Sequence, residues 1–259
     1  MTQPFHPTSP IHERTAQLIG TDGMARLAAR HVFIAGLGGV GSTAAEAMAR
    51  AGVGRITLLD HDRVGPSNLN RQLVALHSTL GRPKARVMAE RIRDINPDIR
   101  VAVHEDFLHP ENVGDLLPAD ADFVLDCIDS IVCKAALVHA CQRRDLAVAS
   151  SMGAGGRLDP GAVRIGPLGH TQRCPLAREM RKRLRRLGAH LDYPVVYSLE
   201  VPVKGTAHQP IDGQAGGRPR AVNGSIAHLP ALFGLMLAGH VLQRLLDAGM
   251  TPAATPLAD

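Results

Sequence analysis

Two periodicities alternate along the first 150 residues. Short apolar runs at 31–35 (HVFIA), 56–59 (ITLL), 100–104, 122–126 and 147–151 are of strand length and bounded by polar or glycine-containing stretches. Between them, 42–51 is rich in alanine and 84–95 carries apolar residues at helical spacing, closed by Asn96-Pro97. A further helix is predicted over 14–29. Strands alternating with helices predict an α/β fold built on a doubly wound, mostly parallel, Rossmann-like sheet. From Gly153 onward glycines and prolines thicken, so an irregular C-terminal extension is expected. The pattern divides the chain into a flexible arm (1–13), a nucleotide-binding domain (14–152), a C-terminal part (153–250) and a tail (251–259). Within the C-terminal part, 205–220 reads as a flexible loop.

Two stretches of that C-terminal part have their own patterns. Residues 226–246 are apolar on nearly every face, with no charge before Arg244, long enough to consider a membrane span. His228, Pro230 and His240 interrupt the run, and Gly234 and Gly239 suggest close packing, so a buried helix closing the core or a dimer is expected instead. The other stretch is basic. Leu176, Met180, Leu184 and Leu187 recur every three or four residues, while Arg178, Arg181, Lys182 and Arg185 fall on the opposite face.

Charge sharpens that second reading. The net charge is +5, yet Arg173 to Arg186 alone holds seven cations and one acid, leaving the rest slightly negative. A basic amphipathic helix can be a solvated face, bind a phosphate backbone or rest on anionic lipid. With 3% aromatic residues and no Trp, base stacking is a minor resource. Four cysteines and no apolar leader point to a reducing, cytoplasmic setting. None of the cysteines forms a CxxC pair, so a four-cysteine zinc site is not expected.

The chemistry is concentrated between His31 and Lys84. Gly36, Gly38 and Gly41 fall at G-x-G-x-x-G spacing between a strand and a helix, with Gly39 among them. Such glycines permit a tight turn whose N–H groups close on phosphate, and an acid about 20 residues further on can hold a ribose hydroxyl. Asp60 ends the second strand at that place. Downstream, DHDRVGPSNLNRQ supplies Asp62, Asn68, Arg71 and Gln72, and GRPK supplies Lys84. Hydride transfer gives these cations no task, whereas attack on the α-phosphate of ATP does, because they offset charge on leaving pyrophosphate. In VLDCIDS, Asp126 and Asp129 follow a strand and are placed to hold a Mg²⁺ that bridges phosphates.

GLGGVGS, the D-x-D…N-x-N-R-Q run, Lys84 at a helix start and D-x-x-D-S together resemble the adenylyltransferase superfamily of the ubiquitin-activating enzymes, over roughly 14–248. The resemblance implies ATP and Mg²⁺ as cofactors. It assigns phosphate contacts to the glycines, Asn68, Arg71 and Lys84, ribose to Asp60 and metal to Asp129. It also implies a homodimer in which Arg14 reaches into the partner subunit's site; the family's usual aromatic before Arg14 is replaced here by His12 at Ile11-His12. SMGAGGRLDP (151–160) and VYSLE (196–200) resemble the tRNA threonylcarbamoyladenosine dehydratases within that superfamily. That branch implies tRNA as substrate, activation of the nucleoside's carboxylate, ring closure, and phosphate-backbone binding by the basic helix. The rival readings are an activator of a ubiquitin-like or sulfur-carrier protein's C-terminus and a catalytically silent nucleotide-binding scaffold. Cys174 stands beside Arg173 and Arg178, cations of the kind that activate a thiol. Its two readings are a thioester role and, more ordinarily, a tolerated small residue.

Overall fold

In the computed structural model, residues 10–203, 205 and 224–247 are described. The sequence's loop at 205–220 (beyond Gly205), the tail, and most of the arm lie outside them. The helices are α1 (Glu13–Ala28), α2 (Gly41–Ala51), α3 (Lys84–Ile95), α4 (Val113–Leu116), α5 (Ile131–Arg143), α6 (Pro175–Arg186) and α7 (His228–Asp247). The strands are β1 (His31–Ala35), β2 (Arg55–Leu59), β3 (Arg100–His104), β4 (Phe123–Asp126), β5 (Val148–Ser151), β6 (Val163–Pro167) and β7 (Pro194–Ser198). They form one seven-stranded sheet in the order β3-β2-β1-β4-β5-β7-β6, parallel except for β6 against β7.

Side-chain alternation explains the two layers. In β1, Val32 and Ile34 join one buried cluster with Ala44, Met48, Met88, Phe233 and Leu237, while Phe33 and Ala35 join another with Val138, Ala177, Met180 and Leu184. Successive strand residues point to opposite faces, so a sheet apolar at consecutive positions must be covered twice. Helices α2, α3 and α7 supply residues to the first cluster; α5 and α6 supply them to the second.

The structure corrects three sequence boundaries. β7 pairs in parallel with β5, and α7 fills the same core as α2, so the division at residue 152 cuts through one sheet and one core. The signal was weak because β6 ends Gly166-Pro167 and β7 opens on Pro194, residues that fit strand edges and first positions rather than interiors. The fold also begins earlier than the expected arm allows: Pro10–His12 forms a 3₁₀ turn and His12 is buried. Finally, α1 is interrupted at Gly20, whose φ of 72° suits glycine, so the predicted single helix is bent there.

α7 is the one described helix long and apolar enough to cross a membrane. Its Leu229, Phe233, Leu237, Val241 and Leu245 are buried in the core. A Cβ on Gly234 would approach the Val40 carbonyl oxygen to 2.4 Å, and one on Gly39 would meet the Pro230 Cβ at 2.8 Å. The apolar helix therefore backs the glycine turn directly.

Candidate active site

The sheet reverses its winding between β1 and β4, and ligands of open α/β sheets bind beyond the strand ends at such a point. The turn after β1 makes that space. Gly36 continues the ladder through its N–H to the Leu59 carbonyl at 2.8 Å and then takes φ 87°. A Cβ on Gly41 would sit 1.7 Å from the Gly36 carbonyl oxygen, so the turn closes only with glycine there. A cavity of about 610 Å³ opens above it.

Gly36, Gly38, Gly39, Asp60, Asp62, Asn68, Arg71, Gln72, Lys84 and Asp129 all line this cavity. Gly41 does not; it shapes the turn from beneath. Asp60 is buried, its two carboxylate oxygens accepting the N–H groups of Leu37 at 2.6 Å and Asp62 at 2.8 Å. Burial pushes its carboxyl above the usual value, opposed by Lys84 and the two N–H donors. Lys84 is itself buried and donates to Asp62 at 2.8 Å, an arrangement that holds the ammonium at the cavity wall. Arg71 donates to the Ser67 carbonyl and to Asn70, and burial lowers its affinity for its proton. Asn68 accepts from the Gly65 N–H, which leaves its amide nitrogen for a ligand. Gln72 is buried and its Oε1 has no hydrogen-bond partner among the described residues. A cradle that only glycine allows and two cations fit the phosphates of a nucleotide, and the unmatched Gln72 Oε1 can accept only from a donor such as a hydroxyl or amino group.

Asp126 is a correction. The sequence placed it with Asp129 as a metal ligand, but it is fully buried, paired with Lys134 Nζ at 2.8 Å and accepting from Ser150 Oγ at 2.6 Å. Burial raises its carboxyl's proton affinity, and the ammonium opposes that. Lys134 also donates to the Ile128 carbonyl at 3.0 Å, so the pair fixes the turn that carries exposed Asp129 into the cavity. Sequence reasoning missed Lys134, although its place one turn into the helix after D-x-x-D-S was a readable signal. Asp60, His61 and Asp62 also gather three ligand-type atoms within 4.8 Å, yet backbone N–H groups occupy Asp60 and Lys84 occupies Asp62.

Other candidates fall elsewhere. Arg14 is exposed on α1 and does not line the cavity. Arg178, Lys182 and Arg185 are exposed on α6, outside the cavity, although the helix start lines it through Cys174, Pro175 and Leu176. Arg181 departs from the expected free face: it donates to the carbonyl and hydroxyl of Thr171 and anchors the helix. Leu187, expected on the apolar side, is exposed. Cys174 is buried and lines the cavity beside Cys127 and Cys133. Burial pushes the Cys127 thiol up to about 12, which removes it as a nucleophile at neutral pH.

A family model described as the ThiF family matches residues 12–258. The chain belongs to that family. The tRNA threonylcarbamoyladenosine dehydratase of Escherichia coli K12 is 38% identical to it over 252 residues, covering 90% of this chain and 92% of the relative. A crystal structure of the E. coli tRNA N6-threonylcarbamoyladenosine dehydratase in complex with AMP superposes with a TM-score of 0.83 at 36% identity, covering 95% of this chain and 98% of that one. The same enzyme in complex with ATP gives 0.81 at 37%, covering 91% and 93%.

Proposed function

We infer that this chain is an ATP-dependent dehydratase that adenylates the carboxylate of N6-threonylcarbamoyladenosine in tRNA and closes it to the cyclic form, releasing AMP and pyrophosphate. The observation that carries the reading is one cavity that joins the glycine turn, Asp60, Arg71, Lys84 and Asp129, in a chain that matches a dehydratase of that name over nine-tenths of its length. The glycine N–H groups and Asn68 receive the phosphates, and Asp60 takes the ribose. The substrate carboxylate attacks the α-phosphorus, and the bond from that phosphorus to the pyrophosphate oxygen breaks. Lys84 and Arg71 offset the charge that builds on the leaving group. A nucleophile of the same side chain then attacks the activated acyl carbon and gives up its proton to solvent. The acyl–oxygen bond breaks, AMP carries that oxygen away, and the elements of water are lost overall.

Three parts of the reading extend further. Asp129, the carboxylate that Lys134 leaves to the cavity, would hold a Mg²⁺, which would offset charge on the phosphates. Arg14 acts from the partner subunit of a homodimer, a reading favoured by its exposure and its absence from the lining of its own cavity. The exposed cations of α6 meet the tRNA backbone in the cytoplasm.

The test is incubation with ATP and bulk tRNA, followed by nucleoside mass spectrometry and measurement of AMP. The cyclic nucleoside and AMP should form together. Lys84→Ala should slow both by about 2.7–4 kcal/mol of barrier, the cost of losing a donor aimed at transition-state charge. ADP as product, or ATP turnover that needs a carrier protein with a free C-terminus instead of tRNA, would overturn the reading.

A further inference from the structure

The end of the cavity opposite Asp60 holds a cation that adenylation leaves without a task. The strands β2, β1, β4 and β5 are neighbours in that order, and the ribose acid, glycine turn and Asp129 follow the first three. Arg157 follows β5. It lines the cavity and is 3% exposed, as buried as the core around it. Its Nε donates to the Glu200 carbonyl at 3.0 Å, and its Nη1 donates to the carbonyls of Gly153 and Gly155. Its Nη2 is buried with no hydrogen-bond partner among the described residues.

The acid whose main-chain carbonyl Arg157 bonds has its carboxylate engaged elsewhere. The Glu200 carboxylate accepts the N–H groups of Leu158 at 2.9 Å and Asp159 at 2.8 Å. Among the described residues no carboxylate lies within ion-pair distance of Arg157. A guanidinium out of water with neutral carbonyls for partners is costly unless an anion joins it. Three carbonyl bonds fix its plane, so an arriving carboxylate meets a fork already oriented. The start of α6 borders the same corner: Leu176 Cβ lies 3.7 Å from where a Gly153 Cβ would stand.

We propose that Arg157 is the receptor for the substrate's carboxylate, holding it on the β5 side of the cavity while the nucleotide occupies the β2–β1–β4 side. The proposal rests on the dehydratase reading. It makes Arg157 a specificity-determining residue: an uncharged side chain in place of the carboxylate would leave the guanidinium buried and unmatched.

Binding of two anticodon stem-loop RNAs tests this without ATP, so that no reaction intervenes. One carries N6-threonylcarbamoyladenosine and the other its carboxamide analogue. The wild type should prefer the carboxylate RNA by about tenfold to a hundredfold, the range of a hydrogen bond to a charged group. In Arg157→Met the preference should fall by at least about tenfold, Arg157→Lys should restore part of it, and ATP affinity should stay within about threefold. Because Arg157 also ties the loop after β5, melting is recorded for each variant, and Arg157→Gln replaces the methionine variant if that one does not fold.

A preference that persists in a folded Arg157→Met or Arg157→Gln would overturn the proposal. So would a loss of ATP affinity matching the loss of preference, which would assign Arg157 to a phosphate. If the wild type cyclises the nucleoside while the variants keep the preference, Arg157 loses its role and the dehydratase reading stands. A wild type that cyclises nothing overturns both.

Discussion

Lys134 shows how a single buried side chain organises chemistry it does not perform. Its ammonium and the Asp126 carboxylate are both fully buried, and each is expensive to bury alone. Together they lock residues 126–130, the turn that ends in Asp129 and Ser130 and starts α5. Lys134→Ala should destabilise the fold by about 3–5 kcal/mol, since it leaves an uncompensated buried carboxylate. Asp126→Asn combined with Lys134→Met should recover much of that loss. Denaturant unfolding of wild type, single and double variant checks it; a Lys134→Ala protein as stable as the wild type would show that the pair does not hold the turn. Asp60 was readable from its spacing after the glycine turn, and Lys84 and Asp129 from the GRPK and VLDCIDS runs that resemble the superfamily; all three line the cavity. Asp126 was misread because D-x-x-D offers two acids to a metal, and only packing shows that one of them faces a lysine. Arg157 lies in the run SMGAGGRLDP, where nothing local reveals that an arginine will be buried.

Helix α6 divides its cations between one anchor and an exposed face. Arg181 turns back onto Thr171, while Arg178, Lys182, Arg185 and Arg186 are exposed. Replacing Arg178, Lys182 and Arg185 with Glu should weaken tRNA binding and flatten its salt dependence. The log–log slope should change by about 0.9 for each phosphate no longer neutralised, taking the duplex DNA figure. Filter binding across a salt series measures it, and an unchanged slope would mean that this face does not touch nucleic acid. Elements with strong periodicity were read closely from sequence: α3 and β3 begin and end where their patterns do. β6 and β7 were not, because a proline-flanked edge pair gains its order from β5 rather than from its own residues.

Among the described residues, one sheet and two helical layers bring residues from β1 to α7 around the cavity, yet Arg14 stays outside it, exposed on α1. Leu18 on the same segment is 85% exposed, an apolar residue left to water by this chain alone. If Arg14 completes a partner subunit's site, Arg14→Ala and Lys84→Ala homodimers should each be nearly inactive. Mixed under conditions of subunit exchange, they should regain about a quarter of wild-type activity, because half of the dimers are mixed and each holds one intact site. No recovery, with exchange demonstrated by native mass spectrometry, would place Arg14 outside the partner's chemistry.

If a carboxylate oxygen of the substrate attacks the α-phosphorus, an oxygen label follows it directly. tRNA bearing N6-threonylcarbamoyladenosine with ¹⁸O in its carboxylate is incubated with ATP and the protein, and the AMP is examined by mass spectrometry. Adenylation predicts AMP carrying one ¹⁸O for each nucleoside cyclised, with pyrophosphate unlabelled. Unlabelled AMP alongside cyclised nucleoside, or label in inorganic phosphate with ADP as the nucleotide product, would contradict it.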